Sequence, residues 1–327
     1  MNNILLVSLI CFSVISFICT VTLNAFSAIG KDGLFLSSAN NISATFPLDV
    51  TPEGWTFSIW SVIYAWNGLW LVYIFSTLFR RNKIGRVYAK PAIHPPDFFA
   101  LWILNNLLNI GWLFLWDREL LIFANVFLAL IPVTCFLMLH MSYRNCYRYR
   151  AWMSQHQRFD LWCIRILVHN GLSVYATWTC IATIINFGIV LKHCTPMEDP
   201  DASTIALCLA LFTILFWFLM ETFVFEKYVR YTFTVYPVAV IASVGMFVGI
   251  NESPGLSKND LINVVIIAAS SAFSLLRFAL LFSCDKLRPL ISENMKEASK
   301  EPVISDTSPM SETSGHTNIM AMEGEEP

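Results

Sequence analysis

The sequence predicts an all-α fold, a polytopic bundle of transmembrane helices with eight spans. Of the 327 residues, 56% are hydrophobic and only 13% are charged, about half the ~25% charge of an ordinary soluble domain. The charges also fall in short clusters, and the apolar runs between them reach the ~20 residues that cross a ~30 Å hydrocarbon layer. Transmembrane β-strands would instead show alternating segments of ~10 residues. A soluble enzyme and a disulfide-stapled secreted domain are thereby excluded.

Eight apolar runs are long enough to cross a membrane as helices, which satisfy their backbone hydrogen bonds within each run. The predicted spans are residues 4–26, 55–79, 98–116, 120–141, 161–191, 204–226, 232–250 and 260–283. They divide the chain into a five-helix unit over residues 1–191, three additional helices over residues 192–283, and a tail over residues 284–327. The tail is rich in Ser, Thr, Glu, Pro and Lys, a composition that predicts disorder.

The first span also resembles a signal peptide, because small residues at Ala25, Ser27 and Ala28 follow its apolar stretch. No basic segment precedes it, and we therefore expect a retained helix. Cleavage after this span would leave seven spans, the number found in a receptor-like protein.

Spans two, three and five carry aromatic and amide side chains along one face each, at helical spacing. These residues are Trp60 and Tyr64 in the second span, Asn105, Asn109 and Trp112 in the third, and Tyr175, Trp178, Ala182 and Asn186 in the fifth. Amide side chains in lipid need hydrogen-bond partners and therefore face the interior of a helix bundle. The three spans are predicted to share an interior lined by Trp, Tyr and Asn.

The same segments resemble the TspO/MBR family, the tryptophan-rich sensory proteins and peripheral benzodiazepine receptor relatives. The strings PEGWTFSIWSVIYAWNG, LNIGW and VYATWTCIATIIN occur in the family's order within residues 1–191. The resemblance implies a five-helix core and ligands such as porphyrins, haem included, or sterols. It also implies that Trp60 and Trp178 are the pocket tryptophans, with Tyr64, Asn105, Asn109 and Ala182 nearby.

The chain departs from the family pattern at three points. Two residues separate Phe57 from Trp60 where the family has three, and Val174 stands before Tyr175 where the family usually has Pro. The last three spans have no counterpart in the five-helix family, so the chain resembles a longer variant with additional C-terminal helices.

The additional spans contain two charges, Glu221 and Arg277. A charge at mid-membrane costs at least ~2.5 kcal/mol, and each lies about 9 to 10 Å from the same end of its span at 1.5 Å per residue. The matched depth predicts an intramembrane ion pair. A secondary transporter that uses this pair is the alternative function.

The basic residues predict the orientation of the spans, because positive charge is retained on the cytoplasmic side. Of the 21 Lys and Arg residues, 15 lie in the tail and in the connections that follow spans two, four and six. Another 4 lie in the connections that follow spans one, three, five and seven, and Arg165 and Arg277 lie inside spans. Both termini are therefore predicted to be cytoplasmic. The sequon at Asn41 then falls in the longest outer loop as a candidate glycosylation site, and we favour a plasma membrane or endomembrane over a mitochondrial location.

The chemistry of the sequence favours a binding protein over an enzyme. No P-loop, GxGxxG, HExxH, GxSxG or paired CxxC occurs, and we predict neither a catalytic residue nor a metal site. The net charge of -2, with no basic domain, excludes a nucleic-acid partner. The expected partners are membrane lipid, a small planar hydrophobic ligand and a second copy of the chain in a homo-oligomer.

Overall fold

The computed structural model describes residues 3–30, 33–249 and 256–287, with side chains described as far as residue 281. Ile250, the predicted end of the seventh span, and residues 288–327 of the predicted tail lie outside the described residues.

Helices make up nearly all of the described secondary structure. They are α1 (Asn3–Ile29), α2 (Ala39–Thr45), α3 (Ile59–Ser76), α4 (Pro96–Asp117), α5 (Leu121–His156), α6 (Arg158–Cys163), α7 (Asn170–Cys194), α8 (Asp199–Leu219), α9 (Glu226–Val229), α10 (Val235–Gly249) and α11 (Lys258–Leu287). A short 3-10 turn, Gly54–Ser58, precedes α3. Two strands, β1 (Arg81–Asn82) and β2 (Gly85–Arg86), form an antiparallel hairpin.

The predicted all-α membrane bundle is confirmed. Within the described ranges, seven helical segments are long and apolar enough to cross a membrane, and α10 is a shorter apolar helix of 15 residues. Each of the eight predicted spans coincides with one of these segments. The chain is therefore an integral multi-pass membrane protein.

Helix α5 continues well past the predicted end of its span at residue 141. It has 36 residues, or about 54 Å at 1.5 Å per residue, which exceeds the ~30 Å hydrocarbon layer. The apolar run ends near residue 141, but no Gly or Pro interrupts residues 142–156, and the backbone stays helical. Arg144, Arg148 and Arg150 consequently lie on a helix that leaves the membrane and not in a loop.

A π-helical turn, Ile164–His169, joins α6 to α7, and the side chain of Asn170 stabilises it. The Asn170 amide donates hydrogen bonds to the carbonyl oxygens of Arg165 at 2.8 Å and Tyr231 at 2.9 Å. Its own oxygen accepts a hydrogen bond from the Phe233 backbone at 3.0 Å. The buried Asn170 side chain thus links the segment between α9 and α10 to the N-terminal end of α7.

Helix α7 is at the centre of the bundle, where it contacts α3, α5, α8 and α10. Helix α4 packs against α1 and α5, and α11 packs against α8 and α10. The three additional helices therefore form one group that rests on α7.

The connections between helices collect at two ends of the bundle. At one end, Lys192 donates a hydrogen bond to the Pro47 carbonyl at 2.6 Å. At the other end, Arg80 and Asp160 form an ion pair at 2.6 Å. We call the second end the basic end, because the clustered cations of α5, the hairpin and α9 belong to its connections.

Candidate functional site

A cavity of about 410 Å³ lies between α1, α3, α4 and α7, under α2 and the segment that follows it. Its aromatic lining consists of Phe57, Trp60, Tyr64, Trp112, Trp116 and Trp178. Ala182, also predicted for this site, lines the cavity as well. The cavity lies near the end opposite the basic end, since Ala39, Asn40, Ser43, Thr51 and Pro52 contribute to its lining.

Four aromatic rings form a nearly parallel row along one wall of this cavity. Trp60 stacks on Tyr64 with ring centroids 5.6 Å apart and on Trp112 with centroids 6.4 Å apart, at 23° in both pairs. Trp112 stacks in turn on Trp116 at 6.3 Å and 20°. The row forms because Trp60 and Tyr64 are one turn apart on α3, as Trp112 and Trp116 are on α4. We call these four rings the aromatic row.

Trp178 closes the corner beside the aromatic row. Its ring stands at 87° to that of Trp60, with centroids 6.4 Å apart, and Phe57 meets it edge-on at 6.5 Å. The cavity wall therefore contains both parallel rings and a ring perpendicular to them. A flat apolar molecule can stack on the parallel rings and contact the Trp178 ring edge-to-face.

Two indole N–H groups of this lining are buried without an acceptor. Among the described residues, Nε1 of Trp112 and Nε1 of Trp178 have no hydrogen-bond partner. An unsatisfied buried donor costs about 1–3 kcal/mol, and each such group in a native structure calls for a physical explanation. Both rings line the cavity.

Asn109 and Tyr175 do not line the cavity but support its wall from behind. The Asn109 amide donates to the Tyr175 hydroxyl at 3.1 Å and accepts from Asn24 at 2.8 Å. Tyr175 also contacts the Trp60 ring edge-on, with centroids 6.2 Å apart. These contacts hold the Trp60 ring in place.

Asn105 is also outside the lining, because its hydrogen bonds join α4 to α5. Its amide donates to the Ile131 carbonyl at 3.0 Å and to the Thr134 hydroxyl at 2.7 Å. Its predicted proximity to the cavity is therefore not seen, although it is fully buried as an intramembrane amide should be.

Sequence reasoning missed Asn24, which lines the cavity from α1. The signal was available, since Asn24 is an amide inside an apolar run in the same way as Asn105 and Asn109. Asn186, which the sequence placed on the same stripe as Trp178, also lines the cavity.

The segment of residues 33–53, which includes α2, covers the cavity, and we call this segment the cover. The sequence predicted it only as a loop. Asp117 accepts hydrogen bonds from the backbone of Leu36 at 2.8 Å and Ser37 at 3.2 Å. The Trp116 indole donates to the Ala39 carbonyl at 3.4 Å, which joins the cover to the aromatic row.

A second clamp fixes the far end of this cover. Asp199 accepts from the Asp49 backbone at 3.0 Å and from Lys192 at 2.6 Å. Burial, and then the nearby Asp199 charge, raises the pKa of the Asp49 carboxyl, and the Lys192 charge opposes this shift. Lys192 therefore stabilises a junction at which two carboxylates approach each other. Gly188 lies against the cover nearby, where a Cβ would come within 2.8 Å of the end of the Leu48 side chain.

Glu221 and Arg277 lie together, and neither lines the cavity. Arg277 Nε is 3.4 Å from Glu221 Oε1, both side chains are buried, and the Tyr236 hydroxyl donates to the same Glu221 oxygen at 2.6 Å. Arg277 also donates to the Val229 carbonyl at 2.8 Å. No residue of α8, α10 or α11 within the described chain lines the aromatic cavity. The charges and the cavity are thus separate features.

A family model described as TSPO-like protein matches residues 10–281. The matched region includes the three additional helices as well as the five-helix unit. No curated protein and no solved structure gives a match.

Proposed function

The chain belongs to the TSPO-like family, and from this premise we propose that it binds a planar hydrophobic ligand of the tetrapyrrole or sterol class in the aromatic cavity. The cavity volume of about 410 Å³ falls within the ~300–1,000 Å³ typical of small-molecule sites. Such sites combine an apolar, aromatic lining with a few polar groups that orient the ligand.

The observation that carries this proposal is the aromatic row with two unpaired indole donors beside it. A row of parallel rings provides stacking energy with little directional demand, about 0.5–1.5 kcal/mol per aromatic pair beyond area burial. The unpaired N–H groups of Trp112 and Trp178 would supply direction where these rings turn toward a ligand that has an acceptor at its edge. A porphyrin carboxylate and a sterol hydroxyl are both suitable acceptors.

The lining residues further indicate how a porphyrin would be held. Among the described residues, the cavity lining contains no His, Cys or Met, the side chains that most often coordinate haem iron. Tyr64 also lines the cavity, but it would have to ligate the iron through its hydroxyl, which is protonated near neutral pH. Binding would depend on the ring face and on the carboxylates, and not on the metal. Metal-free porphyrin and haem should therefore bind with similar affinity.

Titration of the purified full-length protein with metal-free protoporphyrin and with haem tests this function. We expect saturable quenching of tryptophan fluorescence at one ligand per chain, with dissociation constants that differ by less than about fivefold, or about 1 kcal/mol. A naturally fluorescent sterol serves as the third probe. Quenching that rises linearly without saturation for all three molecules would contradict the proposal.

We also propose that the basic end faces the cytoplasm and that the cover of the cavity faces the lumen or the cell exterior. The charge distribution supports this orientation, and Asn41 is exposed on α2 within the cover. A glycosylated Asn41 would place the protein in the plasma membrane or an endomembrane.

Asn41→Gln is expected to remove a glycosidase-sensitive mass shift seen in the wild-type protein expressed in eukaryotic cells. Glycans are added only on the luminal side, so loss of the shift would fix the sidedness of the cover. Asn40→Gln lies outside the sequon and is the control. A tag at residue 40 that is accessible from the cytoplasm of selectively permeabilised cells would contradict the orientation.

A further inference from the structure

A second and larger recess lies outside the aromatic cavity, between the five-helix unit and the additional helices. It has a volume of about 710 Å³ and is lined by side chains of α5, α7, α8, α9 and α10. We call it the lateral groove. Phe136, Phe216 and Phe225 at its edges are 44%, 51% and 38% exposed, so the groove opens sideways toward the membrane.

The lateral groove extends over the depth of one membrane leaflet. Along α7 it runs from Ser173 to Ile184, about 16 Å at 1.5 Å per residue, or roughly half of a ~30 Å hydrocarbon layer. Its end nearest the basic end includes Arg144. That residue lies about 35 Å along α5 from Leu121, which is beyond the hydrocarbon layer and at the level of lipid headgroups.

Four cations surround this end of the groove. A small cavity of about 20 Å³ shares Tyr143 and Tyr228 with the lateral groove and is lined by Arg150, Arg165 and Lys227. Together with Arg144, these residues form what we call the cationic rim. In the described part of the chain, none of the four forms an ion pair with a carboxylate.

Aromatic rings hold three of the four cations of the rim without neutralising them. Arg150 Cζ lies 3.7 Å and Lys227 Nζ lies 5.7 Å from the centroid of the same ring, that of Tyr147. Arg165 Cζ lies 3.9 Å from the centroid of Tyr231. Cations held close together repel one another, and an anion between them would offset this cost.

We infer that the lateral groove binds a phospholipid with an anionic headgroup from the leaflet at the basic end. An acyl chain occupies the apolar groove, and the phosphate lies against the cationic rim. Basic pockets between transmembrane helices on the cytoplasmic side are suited to such headgroups. A sterol would fill the apolar part but has no charge to place among four cations.

This site is separate from the aromatic cavity. Among the described residues, Ile181 of α7 is the one that lines both recesses, and those of the additional helices contribute to the lateral groove alone. The lipid site can therefore exist whether or not the cavity binds a porphyrin or a sterol.

Brominated lipids test the inference, because bromine quenches tryptophan at short range and Trp217 lines the lateral groove. The full-length protein is placed in phosphatidylcholine vesicles that contain a small fraction of phosphatidylserine or phosphatidylcholine with dibrominated acyl chains. Subtracting the signal of Trp217→Phe isolates the quenching at the groove. A cation near the surface favours an anionic lipid by ~1 kcal/mol, or about fivefold. We expect at least a fivefold preference for phosphatidylserine.

The double variant Arg144→Gln/Lys227→Gln is expected to reduce this preference at least fivefold. The matched control is Arg81→Gln/Arg86→Gln, which removes the same charge from the exposed hairpin at the same end and should leave the preference unchanged. The preference is a ratio measured within one variant, so a partial loss of folded protein does not imitate the result. Equal effects of the two double variants would overturn the inference.

A second pair of variants tests the acyl-chain site. Thr213→Phe fills the lateral groove, whereas Leu215→Phe adds the same ring at a lipid-exposed position outside it. Only the first should weaken quenching by brominated phosphatidylserine. Three results would contradict the proposed occupant: equal quenching by both phospholipids, stronger quenching by a brominated sterol, or an unchanged signal in Thr213→Phe.

Discussion

Trp178→Ala is expected to weaken binding of metal-free protoporphyrin roughly 5-fold to 150-fold. The substitution removes the ring that stands at 87° to Trp60 and one of the two unpaired indole donors. Stacking of a base on an aromatic side chain is worth ~1–3 kcal/mol by alanine substitution, and the same scale applies to a porphyrin ring. Dissociation constants from fluorescence titration measure the loss.

Trp178→Phe separates the contribution of the ring from that of the indole N–H. It keeps an aromatic edge next to Trp60, so the loss should be smaller than for Trp178→Ala. Trp217→Ala is the matched control, since Trp217 is an intramembrane tryptophan that lines the lateral groove and not the cavity. Equal losses for Trp178→Ala and Trp217→Ala would mean that the aromatic row has a packing role only.

The sequence predicted the parts of the cavity that depend on the geometry of a single helix. Trp60 and Tyr64 face the same way because they are four residues apart on α3, and their stacked rings follow from that spacing. The spans themselves were predictable because the length of an apolar run is a property of the local sequence.

Asn105 and Asn109 show where sequence reasoning could not decide. Both are fully buried amides on one face of α4, as the cost of a polar group in lipid requires. That rule does not say which neighbouring helix provides the partner. Asn105 bonds to α5 and Asn109 bonds to α1 and α7, a difference set by the rotation of α4 in the bundle.

The cover and the lateral groove were beyond sequence reasoning for a similar reason. The cover is held by contacts between residues far apart in the chain, such as Asp117 with Leu36. The lateral groove is a gap between packed helices, and its size depends on how α8 and α10 meet α7. The family model matches residues 10–281, so the matched region includes the additional helices that line the groove.

Glu221→Leu is expected to lower the stability of the folded protein in detergent by ~3–5 kcal/mol, the cost of removing one partner of a buried ion pair. The remaining Arg277 would stay charged, because a guanidinium does not lose its proton in a protein. It would keep its hydrogen bond to the Val229 carbonyl but lose its counter-ion. Thermal or denaturant unfolding, followed by circular dichroism, measures the change.

The two single variants should differ in their loss of stability. The loss in the double variant should be smaller than the sum of the two single losses. Arg277→Leu leaves the Glu221 carboxyl group, which can take up a proton and keeps its hydrogen bond from Tyr236. The loss of stability in Arg277→Leu should therefore be smaller than that in Glu221→Leu. Glu221→Leu/Arg277→Leu removes both charges and should recover much of the loss, since an apolar pair can replace a buried ion pair. Lys192→Gln, at a partly exposed ion pair, is the control and should cost no more than ~1 kcal/mol. Strictly additive losses in the double variant would show that Glu221 and Arg277 do not stabilise each other.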